Sequence, residues 1–143
     1  MALDKLAVIA LDLEGTLISN AMSCFPRPGL YAFLAVCREH FERVVLFTAV
    51  DTARVRQIVD VLVEEGSAPV WLADCEIVDW SGPYKDLRFI AGADVSRSFL
   101  VDDLEAYVHP EQKAQWIRIA AFVPPYLKED TELFRIGKSL QSK

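Results

Sequence analysis

The sequence predicts an α/β fold, a doubly wound parallel sheet in three layers. Three observations carry that prediction. Short apolar runs of strand length alternate with segments of helical period. The first run, Leu6–Leu11, is apolar at every position, as a strand buried on both faces requires. Three of the runs also stop abruptly in acidic or hydroxyl residues, as strands do where a parallel sheet opens onto a ligand crevice. With 143 residues the chain fits one domain over 1–143, able to bury about two-thirds of its unfolded surface.

The elements follow in order. The first strand ends in Asp12, with Glu14 two residues on and Gly15 opening a turn. Residues 18–25 have no period and read as a loop or small flap. Pro28 then stands near the first turn of a helix whose apolar face is Leu30, Phe33, Leu34 and Cys37. Residues 43–47 are a second buried strand ending in Thr48-Ala49. Asp51 or Thr52 caps the next helix, which packs through Val55, Ile58, Val59, Leu62 and Val63 and stops at Gly66. Val70-Trp71-Leu72 reads as a short third strand, and residues 75–80 as an ambiguous stretch that could add another. Lys85-Asp86 lies on a loop, and residues 87–90 begin a short helix. Residues 98–101 form a fourth strand ending in Asp102-Asp103, 117–120 a fifth, and 131–140 a C-terminal helix.

A composition of 52% hydrophobic and 25% charged residues is that of a folded chain, not a disordered one. The net charge of −6 argues against nucleic-acid partners, whose phosphates require clustered Lys and Arg. No apolar run is long enough to span a bilayer, and Met1-Ala2-Leu3-Asp4-Lys5 lacks the basic region of a signal peptide. Cys24, Cys37 and Cys75 are odd in number and lack metal-like spacing, so free thiols in a reducing compartment are expected. A cytoplasmic protein without a membrane partner is the resulting expectation; the oligomeric state stays open. His40 and His109 stand apart from the strand ends, and Trp71, Trp80 and Trp116 read as packing residues.

Asp12/Glu14, Thr48 and Asp102/Asp103 at three strand ends, with Lys85 on a loop, suit phosphoryl transfer. One carboxylate can attack phosphorus, and a second can protonate the leaving oxygen and later activate water. A hydroxyl and an ammonium can bind the phosphoryl oxygens. The remaining acids can hold Mg²⁺, a hard cation that prefers oxygen.

Asp12-Leu-Glu-Gly-Thr-Leu, Leu46-Phe-Thr48-Ala, Tyr84-Lys85-Asp-Leu and Leu100-Val-Asp102-Asp103 resemble, in order, the four motifs of the haloacid dehalogenase superfamily. Arg27-Pro28-Gly-Leu-Tyr-Ala-Phe-Leu and residues 41–49 are similar to its FCP/SCP-like branch, the NLI-interacting-factor-like phosphatases. The resemblance spans residues 6–140 and implies the Rossmann-like fold of that superfamily. It implies Asp12 as nucleophile, Glu14 as acid/base, and Thr48 and Lys85 as phosphoryl ligands. Mg²⁺ would sit on the Asp12 carboxylate, the Glu14 main-chain carbonyl and an acid of the final pair. Asp103 is the first choice there, and Asp102 the partner of Lys85.

Two departures matter. The usual acid/base of the family is Asp, and Glu14 is one methylene longer. The intervals between motifs also leave no room for a cap domain, so the fold is expected to be capless and its crevice open to a phosphoprotein or a small phosphate ester. The leading expectation is a Mg²⁺-dependent phosphomonoester hydrolase. The alternative is a phosphopeptide-binding or scaffold module on the same fold, its turnover impaired at Glu14.

Overall fold

The computed structural model describes residues 5–143; the first four residues, used above to argue against a signal peptide, lie outside the described residues. Among the described residues, five parallel strands are ordered β3-β2-β1-β4-β5. They are β1 (Leu6–Leu11), β2 (Phe41–Leu46), β3 (Glu76–Ile77), β4 (Ser98–Asp102) and β5 (Trp116–Arg118). Three α-helices accompany them: α1 (Leu30–His40), α2 (Thr52–Glu64) and α3 (Glu132–Gln141).

Strand β1 lies at the centre, and alternation along it explains the layers. Ile9 and Leu11 face one side with the buried residues of α1, α2 and α3; Val8 and Ala10 face the other. The chain runs β1–α1–β2–α2–β3 over the first side and then returns across the sheet to β4. That return, with the following β4–β5 connection, covers the second side through Val78, Leu87, Ile90 and Val108. The sheet is therefore doubly wound, as expected. Its second covering layer, however, consists of 3-10 turns (Leu87–Phe89, Val95–Arg97, Glu105–Tyr107 and Pro110–Gln115) in place of α-helices.

Some boundaries differ from expectation. Residues 70–72 are not a strand but belong to a 3-10 helix, Val70–Asp74. Val70 points into water and only Leu72 of that run is fully buried, Trp71 being partly so, and the segment pairs with no strand of the sheet. The ambiguous stretch after it supplies β3, paired to β2 through Val45–Glu76 and Leu46–Ile77. Strand β2 starts earlier than expected because Phe41 is buried and pairs with Leu6, leaving no loop after α1. Helix α1 begins after Gly29, whose φ of 83° is a left-handed turn, so Pro28 precedes the cap. β5 sits at 116–118, one residue ahead of its expected start. No helix among the described residues is long and apolar enough to cross a membrane.

Candidate active site

The connection out of β1 runs to β2 on one side of it, and the connection out of β3 crosses to β4 on the other, so the crevice beyond the carboxyl ends of β1 and β4 is the switch point of the sheet. Asp12 stands one residue past β1, where its N–H donates to the Val101 carbonyl (3.0 Å). Asp102 ends β4, and Asp103 follows it. Asp12, Asp102 and Asp103 each present a carboxylate oxygen within 4.8 Å of the others. Lys85 reaches the cluster from the second side: its Nζ donates to Asp12 Oδ1 (2.8 Å) and to Asp102 Oδ2 (2.7 Å). The Thr16 hydroxyl approaches from the turn after β1, 2.8 Å from Asp12 Oδ2 and 3.2 Å from Asp103 Oδ1. Sequence reading passed over Thr16, although a hydroxyl four residues beyond a strand-end acid and next to Gly15 was a usable signal.

Burial pushes the Asp12 carboxyl well above the ordinary carboxylate range; the Lys85 ammonium pulls it down, and Asp102 pushes it up again. Asp102 is raised for the same first reason, with Lys85 opposing. Burial disfavours the charge on Lys85, but the two carboxylates outweigh it and hold its pKa above the usual lysine value. Three carboxylates against one ammonium leave a surplus of negative charge that a divalent cation would offset.

The donor set fits such an ion, since all its side-chain atoms are hard carboxylate oxygens. Gly15 supports the fit. A Cβ built there would fall 2.7 Å from Asp103 Oδ2, and its φ of 76° is disfavoured for a side chain, so only glycine allows Asp103 this close.

Two expected site residues make their side-chain hydrogen bonds outside this cluster. The exposed Glu14 side chain is turned to the flap, where Oε2 accepts the Ala21 N–H (2.6 Å). Arg54 of α2 holds the same residue from its other side, Nε donating to the Ala21 carbonyl (3.1 Å). Thr48 is buried two residues past β2; its hydroxyl accepts the Val50 N–H (3.1 Å), and it lines a cavity of about 400 Å³ with Asp51, Asp79 and Trp80.

The tryptophans do more than fill space. Trp80 Nε1 donates to the Thr48 carbonyl and Trp116 Nε1 to the Asp102 carbonyl, each at 2.9 Å. Trp80 also meets the Tyr107 ring edge-on at 5.9 Å, and Tyr107 covers Lys85, whose Nζ lies 4.8 Å from the ring centre. His109 is part of no such site: its Nδ1 accepts the Glu111 N–H (3.0 Å).

A sequence model of the NLI interacting factor-like phosphatases matches residues 7–143. No curated protein sequence matches the chain. Among solved structures, it is similar to the fission yeast RNA polymerase II CTD phosphatase Fcp1 bound to beryllium fluoride, with a TM-score of 0.58 and 16% identity. The match covers 96% of this chain and 50% of that one, so the chain spans half the length of that structure. At that identity the likeness speaks for the fold, while the family match covers nearly every residue. The chain thus belongs to the family of NLI interacting factor-like phosphatases.

Proposed function

We propose that the chain hydrolyses phosphomonoesters with Mg²⁺ through an aspartyl-phosphate on Asp12, as a single domain in the cytoplasm. The observation that carries this reading is the convergence on Asp12, with Lys85 on one carboxylate oxygen and the Thr16 hydroxyl on the other, each at 2.8 Å. A carboxylate held at both oxygens is oriented before substrate arrives, and phosphoryl transfer depends mostly on such positioning.

Asp12 would form the new P–O bond as the ester P–O bond breaks; water then cleaves the acyl phosphate and restores the carboxylate. Lys85 and Thr48 would bind the phosphoryl oxygens. Glu14 would give a proton to the leaving oxygen and later take one from water, after releasing Ala21. Mg²⁺ would be held by Asp12, Asp103 and the Glu14 main-chain carbonyl. Asp102 is less free for that task, because its oxygens already accept from Lys85 and from the Leu104 N–H (2.9 Å). When bound, the ion offsets carboxylate repulsion and charge on the phosphoryl group.

Fcp1 is named for the CTD of RNA polymerase II; an uncapped crevice here would likewise admit a phosphorylated segment of a protein, or a small phosphate ester. One contact favours a second reading, in which the chain binds phosphoryl groups but turns them over poorly: Glu14 is engaged with the flap and not with the acidic cluster. Hydrolysis of p-nitrophenyl phosphate with Mg²⁺ and with EDTA tests the proposal. Mg²⁺-dependent turnover is expected. Equal rates in EDTA would contradict the metal role, and phosphate binding without turnover would favour the second reading.

A further inference from the structure

Arg27 is a second buried cation, and it faces the peptide backbone of the site instead of the crevice. Its side chain is wholly shut off from solvent. Nη1 donates to the carbonyls of Gly15 and Thr16, each at 3.3 Å, while Nε and Nη2 donate in parallel to the two oxygens of Asp130, each at 3.0 Å. The Phe122 ring lies against the guanidinium, 5.3 Å from its Cζ, and the Phe122 N–H donates to the same Gly15 carbonyl (2.8 Å). The Arg27 N–H donates to the Leu17 carbonyl (2.9 Å). Successive carbonyls of the turn after β1 are thus tied to one residue, which is anchored in turn just ahead of α3. With its donors engaged inside the protein, Arg27 is not placed to grip a substrate.

We propose that Arg27 is a positioning residue for the phosphatase reaction, set by Asp130. By fixing the carbonyls of Gly15 and Thr16, it fixes the Thr16 hydroxyl between Asp12 and Asp103. This rests on the reading of Asp12 as nucleophile. Lysine cannot replace the fork, because one ammonium has no planar pair of donors for Asp130 and a further donor for both carbonyls. Loosening the turn by about 1 Å would release Thr16 from one carboxylate or the other, and errors of that size cost about a hundredfold in rate.

The test uses Arg27→Lys and Asp130→Asn. Amide hydrogen exchange is measured without metal, and kinetics on p-nitrophenyl phosphate with Mg²⁺. The amides of Thr16, Leu17 and Ile18 donate to the Leu13 carbonyl and report on the turn. In both variants they are expected to exchange about tenfold faster or more while β1 and β4 stay protected. kcat is expected to fall about a hundredfold with KM little changed. If Arg27→Lys does not fold, Asp130→Asn decides, since its amide oxygen still accepts one bond. Unchanged turn exchange and kcat in the folded variant would overturn the proposal. So would exchange raised evenly over β1, β4 and the turn, the mark of a merely structural role. Full turnover by Asp12→Asn would remove the nucleophile reading instead, and leave the exchange result standing.

Discussion

Lys85 Nζ lies 2.8 Å from Asp12 Oδ1, and both side chains are more than nine-tenths withdrawn from solvent. The pair joins the sheet to its second covering layer: Asp12 follows β1, and Lys85 comes from the connection that crosses to β4. Removing the cation would strand two buried carboxylates. Lys85→Met is therefore expected to lower stability by about 3–5 kcal/mol in metal-free buffer, the typical cost of breaking a buried ion pair. Urea melts with and without Mg²⁺ measure this, and the ion should recover part of the loss. A variant as stable as the wild type would show that the pair is not what holds the cluster.

Gly15→Ala places a Cβ where Asp103 Oδ2 now stands. The carboxylate can swing away, so the main expected effect is on metal binding, beside a stability loss of about 1 kcal/mol from the left-handed backbone. Titration of activity with Mg²⁺ should show a several-fold higher requirement. An unchanged requirement would exclude Asp103 as a ligand.

Glu14→Gln preserves an acceptor for the Ala21 N–H and removes only the titratable oxygen. If Glu14 is the acid/base, an alkyl phosphate should lose about 10²–10⁴-fold in rate, and p-nitrophenyl phosphate, with its good leaving group, much less. Glu14→Asp should keep activity or raise it. Equal alkyl phosphate rates in wild type and Glu14→Gln would rule out the assignment. A silent wild type revived by Glu14→Asp would point to the poor-turnover reading.

The acidic cluster was legible because it needs only local information: apolar runs that stop in Asp12 and in Asp102-Asp103, with strand order bringing those ends together. The partnership of Lys85 with Asp102 was legible through family resemblance. The pairing of Arg27 with Asp130 was not, since 103 residues separate them: Arg27 reads as part of the motif at the start of α1, there to orient the flap or guide substrate, and Asp130 as a solvated charge. Nor was the hold of the flap on Glu14, which depends on how an aperiodic loop folds back. The 3-10 turns of the second layer carry no helical period, so apolar Leu87, Ile90 and Val108 gave little sign that they line one buried face.

Glu132, at the start of α3, accepts from the Ala120 N–H and from Arg135. The Arg135 hydrogen bonds hold its pKa down to about 2. A carboxylate depressed in the folded state adds stability above its unfolded pKa and loses it as pH falls toward the folded value. Glu132→Gln should therefore cost on the order of 1 kcal/mol near neutrality, given its partly exposed setting. The gap to wild type should close as pH drops from about 4.3 to about 2. Denaturant melts across that range measure it; a gap that does not change with pH would show that the bonds act without the charge.

The proposed mechanism turns on the attack of Asp12 on phosphorus. Asp12→Asn keeps the shape of the side chain and leaves Thr16, Lys85 and Asp103 in place, but a carboxamide cannot form the acyl phosphate. The direct measurement is the rate of p-nitrophenyl phosphate hydrolysis by wild type and Asp12→Asn in Mg²⁺, with circular dichroism to confirm the fold. Turnover is expected in the wild type, and none above background in the folded variant. A folded Asp12→Asn protein that hydrolyses at the wild-type rate would contradict the proposed mechanism.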